Sequence, residues 1–134
     1  MAALDQATAN NVLDALLGTA AFVATVTPLT VRYGTSAPNA TTNMTQLSGT
    51  GYTTGGYTVT WNAASIGGQT ATNITVLSST NGSGGAWTIV GIEPWDSAGT
   101  PKRKFFGTWT GQPITVAAGN TFAVAAGAIA ISGV

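Results

Sequence analysis

The chain has 134 residues, which suits one domain, and 44% of them are hydrophobic, which is enough to form a core. Only 6% are charged and the net charge is zero, so no electrostatic field steers the protein toward nucleic acid or an anionic membrane. The absence of cysteine and histidine excludes disulfides, thiolate chemistry, histidine acid–base catalysis and metal sites built from these residues. We therefore expect no cofactor. We also expect no membrane contact, because no apolar run reaches the roughly eighteen residues of a membrane span.

Residues 1–20 predict a single amphipathic helix. Asp5 is placed to cap its start, and Gly18 stands where a left-handed glycine ends a helix. A helix of about thirteen residues is marginal alone in water, so it must pack on something. Its apolar stripe either covers an edge of the chain's own β-domain or docks on a partner subunit. The residues of this stripe are Ala9, Val12, Leu13, Leu16 and Leu17.

Residues 21–134 predict a β-domain made of short strands separated by Gly, Pro and Asn. The first strand covers residues 22–33, and Pro28 within it indicates a bulge or an edge position. The polar stretch 34–51 is either a binding loop or a flexible surface connection. The other expected strands cover residues 52–61, 73–79, 87–95, 105–109, 114–116, 121–124 and 128–131, and a loop covers residues 63–69. This spacing predicts an all-β fold with one β-sandwich domain, jelly-roll-like or immunoglobulin-like.

The stretch 87–109 has the clearest local pattern in the chain. It contains three of the four tryptophans and five of the eight charged residues. Two runs rich in β-branched and aromatic residues flank the sequence Asp-Ser-Ala-Gly-Thr-Pro at positions 96–101. This pattern predicts a β-hairpin with a type I turn that begins at Asp96 and a bulge at Gly99.

The chain resembles a family of small structural proteins from the virions of tailed bacteriophages. The similar stretches are LDQATANNVLDALLGT, VGIEPWDSAGTPKRKFFG and ITVAAGNTFAVAAGAIAIS. Members of that family are labelled head decoration, minor capsid or tail-fibre proteins, and the resemblance lies in motif and sequence style and not in catalytic residues. It implies a virion protein on the capsid exterior that binds the major capsid protein and itself, as a homotrimer, and stabilises the shell. The alternative is a tail-associated module that binds host-surface carbohydrate through exposed Trp61, Trp95 and Trp109 and the long loop.

The carboxylates give little support to an enzyme. A glycosidase pair requires two carboxylates about 5–9.5 Å apart, and Glu93 and Asp96 could meet this beside Trp95 and Trp109. The alternative is that Glu93 pairs across the hairpin with Lys102 or Lys104, and that the tryptophans belong to the core or to an interface. We expect no enzymatic activity, because so few catalytic residue types are present.

Residues 102–104 form the only basic cluster, Lys-Arg-Lys. It is too small for nucleic-acid binding, which requires many phosphate contacts. These charges either solvate the hairpin tip or bind acidic residues of a partner. We hypothesise a partner interface, because tryptophan and arginine are enriched at interface hot spots. Its residues would be Trp95, Asp96, Lys102, Arg103 and Phe105 on the hairpin, with Leu13, Leu16 and Leu17 on the helix.

Overall fold

The computed structural model describes residues 3–64 and 69–132 as eleven short strands and one helix. It confirms an all-β domain with a single helix near the N-terminus. The loop expected at residues 63–69 lies in part outside the described residues. In chain order the elements are β1 (Ala3–Leu4), α1 (Gln6–Leu17), β2 (Leu29–Gly34), β3 (Tyr57–Val59), β4 (Thr70–Thr72), β5 (Leu77–Thr80), β6 (Trp87–Ile89), β7 (Gly91–Trp95), β8 (Phe105–Thr108), β9 (Ile114–Val116), β10 (Thr121–Val124) and β11 (Ala130–Ser132).

The largest sheet has five antiparallel strands in the order β1-β8-β7-β2-β3. Strand β2 lies inside this sheet, where it pairs with β7 from Thr30 opposite Trp95 to Gly34 opposite Gly91. Three further antiparallel ladders join β6 to β9, β5 to β10 and β4 to β11. All of them connect strands that are distant in sequence, so the sandwich is closed by long-range pairing.

One core lies between the five-stranded sheet and the smaller ladders. In β2, Val31 and Tyr33 are fully buried, as the alternation of apolar residues predicts. The Tyr33 ring contacts the rings of Trp109 and Phe122 edge-on, which suits the positive edge and negative face of aromatic rings. Strands of both layers supply nine core residues, which are Val31, Tyr33, Val59, Leu77, Trp87, Ile89, Ile92, Val116 and Val124, and connecting segments supply Leu47, Tyr52 and Ile129.

Two fully buried asparagines fasten the smaller ladders together. The Asn73 amide donates to Ala125 O, and its carbonyl oxygen accepts from Ile129 N. The Asn81 amide donates to Gly85 O at 2.9 Å and to Val116 O at 2.8 Å. A buried amide without hydrogen-bond partners costs free energy. Each asparagine therefore holds the backbone of the segments next to the paired strands in place.

The expected strand 87–95 is wrong as a single element, because it divides at Val90. Strand β6 pairs with β9, whereas β7 belongs to the five-stranded sheet. At the division, Val90 N donates to Gly34 O and Val90 O accepts from Trp109 N. The chain thus crosses from one layer to the other while its backbone remains hydrogen-bonded.

Four other expected strands begin later in the structure. Strand β2 begins at Leu29, so Pro28 precedes the ladder and makes neither a bulge nor an edge position. Strand β3 covers only Tyr57–Val59 of the expected 52–61, because a turn precedes it. Strand β5 begins at Leu77, and β11 begins at Ala130. In β2, β5 and β11 the expected strand extended over apolar residues that have no neighbouring strand to pair with. Strands β1 and β4 were not predicted, since neither has an extended apolar pattern.

The helix matches its expected ends. The Asp5 carboxylate accepts a hydrogen bond from Ala7 N at 3.1 Å, which is the geometry of an N-cap. Gly18 is left-handed, with a φ of 71°, and its N–H donates to Ala15 O. The positions of Asp5 and Gly18 in the sequence therefore predicted where α1 starts and ends.

Candidate functional site

The Arg103 guanidinium is buried at the centre of a polar network, with the residue only 5% exposed. Its Nε donates to Asp5 Oδ1 at 2.8 Å, and its Nη1 donates to Glu93 Oε1 at 2.8 Å. Nη2 also bonds to Asp5, and the other acceptors are the carbonyl oxygens of Asn39, Ala40 and Thr42. Every donor of the guanidinium therefore has an acceptor.

This network joins three distant parts of the chain. Asp5 precedes the helix, and the carbonyl acceptors come from the long loop. Glu93, which is 1% exposed, also accepts from Met44 N at 2.8 Å and from Trp95 Nε1 at 3.1 Å. The loop at residues 34–51 is therefore tied to the hairpin and is not a flexible surface connection.

A second ion pair closes the hairpin. Lys104 Nζ lies 3.1 Å from Asp96 Oδ2, and Asp96 Oδ1 accepts from Lys102 N at 2.7 Å. Burial alone raises the pKa of Asp96, but the Lys102 N–H and the Lys104 ammonium outweigh it and hold that pKa below its ordinary value. Arg103 and Lys104 thus bind acidic groups of their own chain, which corrects the expectation that they solvate the tip or bind a partner.

The hairpin irregularity falls later in the chain than the bulge expected at Gly99. Gly99 is not among the glycines with positive φ, so it does not form the predicted bulge. Ile92 pairs with Gly107 and Trp95 bridges to Arg103, which leaves two residues on one strand opposite three on the other. The extra residue therefore falls within 104–106, next to the Arg103 network.

The two carboxylates of the hypothetical glycosidase pair each bind a different basic side chain of the domain. Glu93 binds Arg103, and Asp96 binds Lys104. The prediction that Glu93 pairs across the hairpin is right, but its partner is Arg103 and not a lysine. These two carboxylates are therefore held as structural anions and do not face a shared cavity.

The tryptophans lie mainly against their own domain. Trp87 is buried, and Trp61 and Trp109 pack against the core cluster. Trp95 is covered by the Arg32 guanidinium, whose carbon lies 4.0 Å from the ring centroid. All four tryptophans are described, and each is buried or half-buried. This position gives little open ring surface for stacking a sugar.

Residues 3–28 run along the outside of the domain, and we call them the N-terminal arm. At its start, β1 adds to the edge of β8, with Leu4 opposite Phe105. At its end, Val26 O accepts from Ser97 N at 3.1 Å. The arm is therefore fixed to the hairpin at both ends, and half-buried Phe105 contributes through its strand pairing.

The half-buried side of helix α1 is mixed in character and includes Thr8, Asn11 and Val12, whereas its leucines lie on the exposed side. Thr8 donates to Arg103 O, and Asn11 exchanges hydrogen bonds with Val23 of the arm. All residues of α1 are described and none is buried. The leucine stripe does not cover the chain's own domain, since Leu13, Leu16 and Leu17 are 54%, 79% and 68% exposed.

The rest of the arm also exposes apolar side chains. Phe22, Val23 and Val26 are 47–64% exposed. A groove of about 460 Å³ separates the arm from the hairpin, and residues of both line it, including Val23, Val26 and Trp95. Of the predicted interface residues, the structure therefore brings four to one groove and places the leucines on the outer side of the arm. The four are Trp95, Asp96, Lys102 and Arg103.

The described part of the chain holds no cluster of three metal-ligating carboxylates, cysteines or histidines. Within the same residues no helix has the length and apolar character needed to cross a bilayer. A comparison with known protein families finds no family model that matches the chain, and a comparison with curated proteins finds no match.

The sequence did not predict the partners of Arg103. Asp5 was assigned only as a helix cap, and the two residues are 98 positions apart in sequence. The available signal was the scarcity of charge, because a domain with four acidic and four basic side chains has few ways to neutralise a buried one. The carbonyl acceptors of the long loop left no signal in the sequence.

Proposed function

We propose that this chain is a non-enzymatic structural protein of a phage virion, most directly a capsid decoration or minor capsid protein. In this proposal it lies on the capsid exterior, binds the major capsid protein and other copies of itself as a homotrimer, and stabilises the shell. The observation that carries the proposal is the outward apolar surface of the N-terminal arm, where Leu13, Leu16 and Leu17 are all more than half exposed. Large exposed apolar patches mark protein–protein interaction sites.

The anchored arm suits a passive binding role. Because the Arg103 network fixes the start of the arm, its apolar surface is already ordered before a partner arrives. Ordering a surface in advance reduces the entropy lost on association. Binding then stabilises the assembled shell by mass action on the bound state.

The use of the charged residues favours a structural role over an enzymatic one. Asp5 and Glu93 neutralise Arg103, and Asp96 neutralises Lys104, so three of the four side-chain carboxylates are occupied within the domain. The tail-associated carbohydrate-binding alternative requires open aromatic rings. The covered position of Trp95 under Arg32 counts against it.

The test is to dissociate purified virions, separate heads from tails and count copies of this chain by mass spectrometry. We expect copies on heads, in a fixed ratio to the major capsid protein. We also expect the purified chain to sediment with heads from which it has been stripped. A few copies confined to tails would overturn the capsid proposal and make host-surface binding the leading hypothesis.

A further inference from the structure

We propose that copies of this chain associate with one another through the leucine stripe of α1, each helix packing against the helix of a second copy. The inference deepens the proposed function, on which it rests for its biological setting. It assigns the outward face of the arm to self-association and leaves the shell to be bound elsewhere on the molecule.

The spacing of the stripe is that of a helix–helix seam. The exposed part of the stripe is Leu13, Leu16 and Leu17, which are three and four positions apart, whereas Ala9 and Val12 are half-buried. Apolar residues at alternating intervals of three and four pack as knobs into the holes of a facing helix. Another helix of the same kind therefore fits this surface.

The anchoring of the helix prevents the stripe from turning to its own core. Asp5 is held by Arg103, and Asn11 is bonded to Val23 on the half-buried side of α1. Rotating the leucines inward would break these bonds and leave the buried guanidinium without one of its two carboxylates. The leucines therefore stay on the outward face, where another chain can cover them.

The charge of the stripe favours a second copy over a charged partner. Asp14 is the single formal charge in the sequence of α1, and its carboxylate accepts from Thr19 Oγ1 at 3.2 Å. An acidic or basic partner would therefore find almost no complementary group there. Two copies with zero net charge approach without long-range repulsion, and identical apolar faces are complementary to each other in a symmetric contact.

The exposed area is close to what a specific contact needs. Away from the groove, four apolar side chains of the arm are 54–79% exposed, namely Leu13, Leu16, Leu17 and Phe22. From the transfer energies and areas of such side chains, this is on the order of 320 Å² of apolar surface per copy. Two copies would then bury about 650 Å² of apolar surface, which at the roughly 60% apolar share of an interface corresponds to about 1,000 Å² in total, the lower bound for a biological interface.

The first experiment is light scattering of the full-length protein during size exclusion, over about a hundredfold range of concentration, as mass action requires. We expect an oligomer whose mass distinguishes a dimer from a trimer. The variant carrying Leu13→Ser, Leu16→Ser and Leu17→Ser should weaken association by roughly a hundredfold or more, because it removes the centre of the contact. The control variant carries Ile74→Ser and Val76→Ser, at positions that are 50% and 62% exposed on the β-domain, and should associate as the original chain does.

A second measurement does not depend on the folding of the triple variant. The chain has no cysteine, so Leu16→Cys introduces a single thiol at the centre of the stripe. Under mild oxidation we expect Leu16→Cys to form covalent dimers and Ile74→Cys to remain uncoupled.

Three results would overturn the inference. They are a monomer at every concentration, association that survives the triple serine variant, and cross-linking that is equal at positions 16 and 74. If the chain is monomeric but needs the leucines to sediment with stripped heads, the shell covers the stripe, and the capsid role stands without the homotrimer. If it self-associates through the stripe but is absent from virions, the inference stands and the proposed function fails.

Discussion

Arg103 shows how one side chain can organise a domain that has few charges. Its guanidinium carries five N–H donors in a fixed planar arrangement, and here they reach two carboxylates and the long loop. A lysine at this position would offer a point charge without that geometry. The network is therefore the point at which the arm, the loop and the hairpin become dependent on each other.

Replacing Arg103 by alanine should destabilise the whole domain. Removing one partner of a buried ion pair costs about 3–5 kcal/mol, because the other charges stay buried without compensation. The neighbouring substitution Lys102→Ala is the matched control, since the Lys102 side chain is exposed and its backbone N–H still bonds to Asp96.

Urea unfolding of both variants gives the comparison. We expect a much lower midpoint for Arg103→Ala and faster proteolysis within residues 19–28, because the arm loses its anchor. Equal midpoints for the two variants would contradict the central role assigned to the network.

At the scale of single residues, the sequence predicted what depends on local geometry. The cap at Asp5 and the glycine at position 18 were correct, because capping involves neighbours within a few residues. The burial of Arg103 was missed because three adjacent basic residues are typical of a solvated tip. Only the folded chain brings Asp5 and Glu93 to the same guanidinium.

The turn that precedes β3 depends on close backbone contact with another element. Gly51 has a φ of 94°, and a Cβ placed there would lie 1.8 Å from Thr80 O in β5. Gly55 has almost the same φ, 93°, but an added Cβ would meet nothing within 4 Å. Substitutions at these two glycines therefore distinguish the energetic cost of a positive φ from the cost of a steric contact.

We expect Gly55→Ala to destabilise the domain by about 1–2 kcal/mol, the cost of a positive φ for a residue with a side chain. Gly51→Ala should cost that amount and about 1–3 kcal/mol more, because the backbone must also move away from β5. Thermal unfolding of both variants measures the difference. Equal losses would show that the contact with Thr80 relaxes freely.

The elements themselves were only partly predictable. Alternation of apolar residues located β2, β9 and β10, because a half-buried strand shows its period in the sequence. The division between β6 and β7 at Val90 left no such signal, since both strands are rich in apolar residues. The unpaired stretch before Leu29 was read as strand because β propensity cannot show whether a neighbouring strand is available.

The whole molecule has few groups that titrate near neutral pH. It lacks histidine and cysteine, the side chains with ordinary pKa values nearest neutrality. The pKa of Asp96 is lowered in the folded chain, and burial raises the pKa values of Tyr33 and Tyr52. These directions predict a broad range of constant stability around neutral pH.

At the acid and alkaline ends of this pH range, the direction in which stability changes follows from the difference between folded and unfolded pKa values. A lowered Asp96 pKa contributes stability above the ordinary value of about 3.9, and this contribution is lost as the pH falls through the folded pKa. Raised tyrosine pKa values favour folding below about pH 10, and that contribution is lost as the pH rises through the folded values.

We expect melting temperatures that are flat between about pH 5 and 9 and that fall outside this range. The variant Asp96→Asn should be less stable near neutral pH and should lose less of its stability in acid. A melting temperature that changes steeply between pH 6 and 8 would contradict this account.

The class of fold followed from the spacing of short strands, but the order of the strands did not. Strands β1 and β8 are about 100 residues apart and still pair, and β4 pairs with the last strand of the chain. Such pairings depend on how the layers close over one core, which no local pattern records. The outward direction of the leucine stripe was likewise open, because an amphipathic helix shows which face is apolar but not what covers it.

The buried Asn81 also affects how the molecule ages. Asn81 is followed by Gly82, and an asparagine before glycine is the side chain that loses its amide fastest, by attack of the next backbone nitrogen on the side-chain carbonyl carbon. Here Gly82 N donates to Thr50 O at 2.9 Å, and the Asn81 amide is held by two carbonyl oxygens. The attacking nitrogen and its target are therefore restrained while the domain stays folded. Deamidation at this position then requires local opening, so the stability of the fold around Asn81 sets the rate at which this side chain is chemically altered.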